Sequence, residues 1–352
     1  MFSRLPFSFL FLFVMVTGTL FSLSSSHWLG VWAGLEINLI GFLPLLVYQK
    51  SMMESESGVK YFIVQALGSS MLMFGSLLVY NLMFTWEMTE FSIKYLMGTM
   101  IIIFGLFMKM GVFPFHFWLP GVMAGLPWMS CLLLATWQKL APLLLVSSLM
   151  KENSGYSIFF FFCILASVSS LIGGIGGMNQ TQVRALLAYS SIGHLGWLVF
   201  ASLYGDWLVK MYLSIYILIS VCIFLSLYYS NMISMMNLKN LDMSYYNYAI
   251  MLMLLSLGGL PPLLGFIPKW MVILNSVSNT YWSALFLLIL GSLMSLFYYL
   301  SLFFTLNLNN MKKVVEMSDL SFKNSSILSI SIIINLVGGG LLFITMEILK
   351  SF

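Results

Sequence analysis

Charge is what this sequence has least of. Only 7% of its 352 residues are Asp, Glu, Lys or Arg, against roughly a quarter in a soluble domain. That deficit excludes a water-facing globule. The 15 basic and 11 acidic residues are also too few and too scattered to make a nucleic-acid surface. Cysteine is nearly absent: Cys131, Cys163 and Cys222 all lie in apolar runs. None has the C-x-x-C spacing of an iron–sulfur or thiolate metal site, so they read as small core residues rather than disulfides. There is no low-complexity tail and no heptad pattern, and the longest polar stretch, 307–325, is loop-sized. The one glycine-rich string, "IGGIGG" at 172–177, sits in an apolar run with no strand before it. It reads as close helix packing, not as a phosphate loop.

Apolar sequence fills the rest. The chain is 61% hydrophobic, with mean hydropathy +0.99. Its apolar runs are much longer than the ~10 residues of a barrel strand and do not alternate, so the expectation is an all-α polytopic membrane protein. At ~20 residues per crossing, the chain divides into about eleven spans: 5–23, 28–48, 59–82, 93–113, 123–149, 156–178, 183–203, 208–232, 246–274, 280–306 and 326–349. The first run is long and has no small-residue cleavage pattern after it, so it is expected to be a retained helix, not a signal peptide. The expected organisation is one integral membrane domain over 1–352, with a first helix at 1–25, repeats at 26–180 and 181–325, and a last helix at 326–352. An odd span number puts the termini on opposite sides. Arg4, Lys50, Arg184, Lys239, Lys312, Lys313 and Lys323 fall on the N-terminal side, and Lys94, Lys151, Lys210 and Lys350 on the other. The excess places the N-terminus in the inner compartment.

Most charges fall in loops or close to a span end, and five are singled out as belonging to the spans: Glu36, Lys60, Lys109, Lys139 and Lys269. Each costs at least ~2.5–3.5 kcal/mol at membrane depth. Single residues of this kind have structural readings: Lys60 and Lys109 can snorkel to an interface, Glu36 can be an ion-pair partner, and Lys269 can mark a boundary. Lys139, in "LLLATWQKLAPLLL", has about ten apolar residues on either side and no such reading. Taken together the five point to an ionisable chain across the membrane, because burial brings a lysine's titration toward neutrality and makes it sensitive to the next charge along. Among the histidines, His194 lies mid-span beside Tyr189, Ser190 and Ser191. It is either a relay group or a hydrogen-bonded core residue. His116 lies at a helix break and His27 at a span edge.

Two segments break their own helices. "KMGVFPFHFWLPGVMAGLP" carries Pro114, Pro120 and Pro127, and "LGGLPPLLGFIPKW" carries Pro261, Pro262 and Pro268, each with several glycines. Interrupted apolar segments in corresponding positions point to a transport site. Lys109 belongs to the fourth span and Lys269 to the ninth. An offset of five is odd, so a repeat of that length is inverted in the membrane.

Six motifs in order, "WAGLEINLIGFLPL", "VKYFIVQALGSS", "KMGVFPFHFWLPGV", "TWQKLAPL", "LAYSSIGHLGW" and "GGLPPLLGFIPKW", together resemble the antiporter-like membrane subunits of respiratory complex I. The resemblance spans residues 27 to 275 in motif form. It implies an antiporter-like fold with two inverted five-helix repeats, and a proton pathway through Glu36, Lys60, Lys109, Lys139, His194 and Lys269. In that pattern Lys60 partners Glu36, Lys109 and Lys269 stand at the two broken helices, and Lys139 and His194 lie on the central axis. It implies no cofactor and no metal in this chain, with FMN, iron–sulfur clusters, NADH and ubiquinone bound elsewhere in the complex. The expected partners are other membrane subunits of the complex, especially the neighbouring antiporter-like subunit 4 and the small subunits 4L and 6, together with lipids such as cardiolipin. The expected location is the mitochondrial inner membrane with the N-terminus in the matrix. The rivals are a stand-alone cation/proton antiporter, which uses the same architecture, and a structural subunit whose lysines are relics.

Overall fold

The computed structural model describes residues 7–47, 51–87, 96–152, 155–229, 244–277, 281–313, 332–333 and 335–340. In chain order the helices are α1 (Ser8–Ser24), α2 (Trp28–Val47), α3 (Met52–Met83), α4 (Leu96–Met110), α5 (Trp118–Gly125), α6 (Trp128–Ala135), α7 (Trp137–Glu152), α8 (Tyr156–Met178), α9 (Val183–Ala201), α10 (Asp206–Tyr229), α11 (Ser244–Gly258), α12 (Phe266–Ser276) and α13 (Trp282–Lys313). The one β contact among the described residues is an isolated bridge between His27 and Glu87. Seven stretches are long and apolar enough to cross a bilayer, and three shorter apolar helices, within α1, α4 and α11, accompany them. The expected last span, 326–349, lies largely outside the described residues, as do Arg4, Lys50, Lys94, Lys239, Lys323 and Lys350.

The sequence spans and the helices differ where capping chemistry intervenes. The helix expected from 59 begins at Met52, because the Ser51 side chain accepts a hydrogen bond from the Glu54 amide (3.2 Å) and closes the first turn. The span expected over 123–149 is three helices. Pro127 caps α6 and separates it from α5. Thr136 then interrupts the stretch: its hydroxyl donates to the Leu132 carbonyl (2.7 Å), and the Lys139 amide reaches back only to the Thr136 carbonyl (3.3 Å). A threonine bonded back into its own helix bends it. Lys139 therefore sits one turn past a helix irregularity.

Two compact units divide the chain, one of Met1–Ala166 with Val199–Asp206 and one of Ser167–Leu198 with Trp207–Phe352. In the first, α1 and α2 approach backbone to backbone. A β-carbon on Gly18 meets the Asn38 nitrogen at 2.5 Å, and one on Gly34 meets the Ser22 nitrogen at 2.5 Å. Without a hydrophobic drive between helices in lipid, such close contact is what holds them. In the second unit the "IGGIGG" string packs as expected: a β-carbon on Gly173 meets the Gly193 nitrogen at 2.5 Å, and one on Gly174 meets the Gly291 carbonyl at 2.7 Å.

Candidate functional site: buried lysines at two broken helices

The first break follows α4. Gly111 takes φ +80°, and the amides of Gly111 and Val112 both return to the Phe107 carbonyl (2.9 and 3.1 Å). A left-handed glycine that closes a helix in this way satisfies carbonyls that would otherwise be orphaned. Other carbonyls of the last turn take side-chain donors: the Gln65 amide bonds Lys109 O (3.2 Å) and the Trp118 indole bonds Met108 O (3.2 Å). The second break repeats this locally. Gly259 takes φ +81°, and the amides of Gly259 and Leu260 return to Leu255 (3.2 and 3.4 Å). Gly111 corresponds to Gly259, Pro114 to Pro262 and Pro120 to Pro268, all at one constant separation in sequence.

The lysines do not correspond. Lys109 closes α4 from within its last turn. Lys269 lies beyond the break, in α12, and folds back so that its amine donates to the carbonyls of Gly258 (2.8 Å) and Leu257 (3.4 Å) at the end of α11. Both cations thus sit at the C-terminal, negative end of a broken helix, where the dipole favours them. Glycine makes room in each case: Lys109 Cγ would lie 3.2 Å from a β-carbon on Gly68, and Lys269 Nζ 3.0 Å from one on Gly259. Lys109, Lys139 and Lys269 are 5%, 3% and 7% exposed.

The first unit places Glu36, half-buried on α2, within electrostatic reach of Lys109 and of Tyr61. Two residues on, Asn38 exchanges hydrogen bonds with Gln138 (2.9 and 3.1 Å), whose oxygen also accepts from the Tyr61 hydroxyl (3.4 Å). This amide pair ties α2 and α3 to the turn that carries Lys139. Lys60 is not part of the group. It is exposed and pairs with Glu56 one turn back on α3, not with Glu36. His116 is buried at the break with its ring centroid 4.0 Å from that of Phe117, and His27 is in the isolated bridge.

In the second unit His194 Nδ1 hydrogen-bonds the Tyr212 hydroxyl (3.0 Å), and its ring lies 5.3 Å from that of Tyr216. His194 and Lys269 line one small cavity, walled also by hydroxyls from α8, α9 and α13. Sequence reading missed Gln65, Tyr61, Tyr212 and Tyr299. Each is a polar side chain in an apolar run, a weak signal beside a lysine's. Among the described residues, no group of His, Cys, Asp and Glu is arranged to hold a metal.

Broken helices with cations at their ends, set in a polytopic helical chain, are the pattern of a membrane transport protein. The family model described as NADH:quinone oxidoreductase/Mrp antiporter, TM, matches residues 25–297. NADH-ubiquinone oxidoreductase chain 2 of Anopheles gambiae is 41% identical over 344 residues, 96% of each chain, and that of Aedes aegypti 40% over the same shares. The chain belongs to the NADH-ubiquinone oxidoreductase chain 2 family. Its fold is also that of a subunit of respiratory complex I from Thermus thermophilus with bound aureothin, at TM-score 0.81 and 24% identity over 96% of this chain and 78% of that one.

Proposed function

We propose that this chain is a core membrane subunit of a proton-pumping NADH:ubiquinone oxidoreductase and contributes a proton-translocation pathway. The observation that carries the reading is the burial of Lys109, Lys139 and Lys269 inside apolar spans, two of them at helix breaks. A chain this poor in charge keeps three costly cations only where a changing charge is useful. The relay consists of Glu36, Lys109 and Lys139 in one unit and His194 and Lys269 in the other. Glu36 holds a proton on Lys109, the break lets water reach the amine, and Lys139 carries charge onward. Lys60, exposed beside Glu56, stands at the edge of this set. The local copy of one break by the other supports repeats near 26–180 and 181–325. NADH, FMN, iron–sulfur clusters and ubiquinone belong to other subunits of the assembly, so the redox step is not here. Its neighbours in this reading are the antiporter-like subunit 4 and the small subunits 4L and 6, with cardiolipin at the lipid edge. The setting is the mitochondrial inner membrane with the N-terminus in the matrix. Relatives about 40% identical over nearly the whole chain favour a complex I subunit over a stand-alone cation/proton antiporter.

The test is Glu36→Gln in the assembled complex, in coupled vesicles. Losing even ~1.4 kcal/mol of stabilisation at a protonated lysine is worth about tenfold in rate. NADH-driven pumping should fall by about that factor while the complex still assembles. Pumping at the wild-type rate in assembled Glu36→Gln would remove Glu36 from the relay.

A further inference from the structure

Leu264 joins the turn after the second break to α12. Its carbonyl accepts the Ile267 amide (3.3 Å), and the amides of Leu260, Leu263 and Phe266 return to backbone carbonyls close by in the chain (3.4, 2.9 and 3.1 Å). The Leu264 amide instead donates to the side-chain oxygen of Asn335 (3.4 Å), 71 residues further along. At membrane depth a backbone amide needs a protein acceptor, and here a distant side chain supplies it. Asn335 is 1% exposed, and its NH2 group donates to Met253 Sδ (3.3 Å). A thioether only accepts and an NH2 only donates, so this second contact fixes which way the Asn335 amide faces. The helical segment 335–340 also meets the turn backbone to backbone. A β-carbon on Gly339 would lie 2.5 Å from the Pro262 carbonyl oxygen and 3.0 Å from the Leu264 nitrogen, and one on Gly338 2.9 Å from the Leu264 side chain. Asn335, Gly338 and Gly339 stand at i, i+3 and i+4, one face of a helix, and that face grips Leu264.

We infer that Asn335 is a positioning residue for Lys269: by holding Leu264 it fixes where α12 starts, and so where the lysine amine meets the end of α11. Lys269 is one turn into α12, and its amine donates to the Gly258 and Leu257 carbonyls. Only the turn that Asn335 grips separates those carbonyls from α12. A slide of Leu264 therefore moves the amine off its acceptors without any change in the lysine itself. Asn335 touches neither the amine nor its acceptors in this arrangement and acts through the backbone alone, as a supporting residue does. The first break is held in the opposite sense. There the Gln65 amide and the Trp118 indole donate to carbonyls at the end of α4, whereas the second break needs an acceptor for an amide, and the Asn335 oxygen is one.

The inference rests on Lys269 being a relay group, and the experiment separates the two claims. It uses the assembled complex in coupled vesicles and reads two quantities: amide hydrogen exchange in the peptide that covers 259–267, and protons pumped per NADH oxidised. Asn335→Leu removes the acceptor at similar volume. Exchange in that peptide should quicken by about five- to tenfold, the weight of one hydrogen bond, and the proton ratio should fall. Asn335→Gln keeps the amide on a longer stem and should restore most of both. Gly339→Ala, which forces the segment off the turn, should act like Asn335→Leu, while Gly340→Ala, with nothing within 4 Å of its added carbon, should match wild type. Unchanged exchange in Asn335→Leu overturns the grip on Leu264. Faster exchange with a wild-type proton ratio overturns the positioning role and leaves the lysine relay standing. If Lys269→Met pumps at the wild-type ratio, the relay itself fails. A high-resolution map of the wild-type complex decides without any variant: the Asn335 oxygen within hydrogen-bond reach of the Leu264 amide supports the grip, and a side chain turned away overturns it.

Discussion

Asn38 and Gln138 exchange two hydrogen bonds across the first unit, both buried. Removing one partner strands the other's amide, at a cost of ~1–3 kcal/mol, whereas replacing both by apolar residues is close to neutral. Asn38→Leu should therefore lower the thermal stability of the assembled complex, and Asn38→Leu with Gln138→Leu should recover most of the loss. The measurement is a double-mutant cycle on thermal inactivation, and strictly additive losses would contradict the pairing. At this scale the sequence was only partly legible. Lys109, Lys139 and Lys269 stood out because a cation in an apolar run is costly, and for Lys139 no structural reading competed. Lys60 stood out for the same reason, yet it faces outward beside Glu56, because its position in the first turns of a long helix let it reach the edge. Tyr299 gave no signal, since a tyrosine among phenylalanines looks like core until the fold sets it beside Ser190 in the lining of a cavity.

Helices here meet through glycine, and the contacts are one-sided. A β-carbon on Gly173 would lie 2.5 Å from the Gly193 nitrogen, but one on Gly193 would find nothing closer than Gly173 Cα at 3.9 Å. Gly173→Ala must push α8 and α9 apart, and backbone cannot yield as a flexible side chain does. Gly193→Ala makes an ordinary contact and gains up to ~1 kcal/mol of helix propensity. The expected outcome is loss of assembled complex for Gly173→Ala and near-normal assembly for Gly193→Ala, read by native gel and NADH oxidation. Equal effects would mean that the approach of α8 to α9 is looser than described. The breaks were the most legible elements, because clustered proline and glycine leave a helix no way to continue. The fold-back of Lys269 was not legible. Proline spacing says where a helix stops, not which carbonyls a lysine beyond the stop will find. The interruption at Thr136 was likewise hidden, since threonine is tolerated within helices and only its hydroxyl's choice of acceptor reveals the bend.

Each unit holds buried cations of its own: Lys109 and Lys139 in the first, Lys269 in the second. Composition alone established a polytopic helical membrane protein, because so little charge leaves no soluble alternative. The number of crossings was less legible, since a broken helix and two short ones look alike to a hydropathy window. The central claim is that these cations move protons, and Lys139 tests it most directly. Lys139→Met keeps length and apolar character and removes a burial cost, so the complex should assemble. Lys139→Arg keeps a charge that cannot be lost and should fail as well. The decisive measurement is protons pumped per NADH oxidised in coupled vesicles containing assembled Lys139→Met complex. The account predicts a lower ratio or a stalled turnover. A ratio and rate equal to wild type would contradict it and leave Lys139 a structural cation.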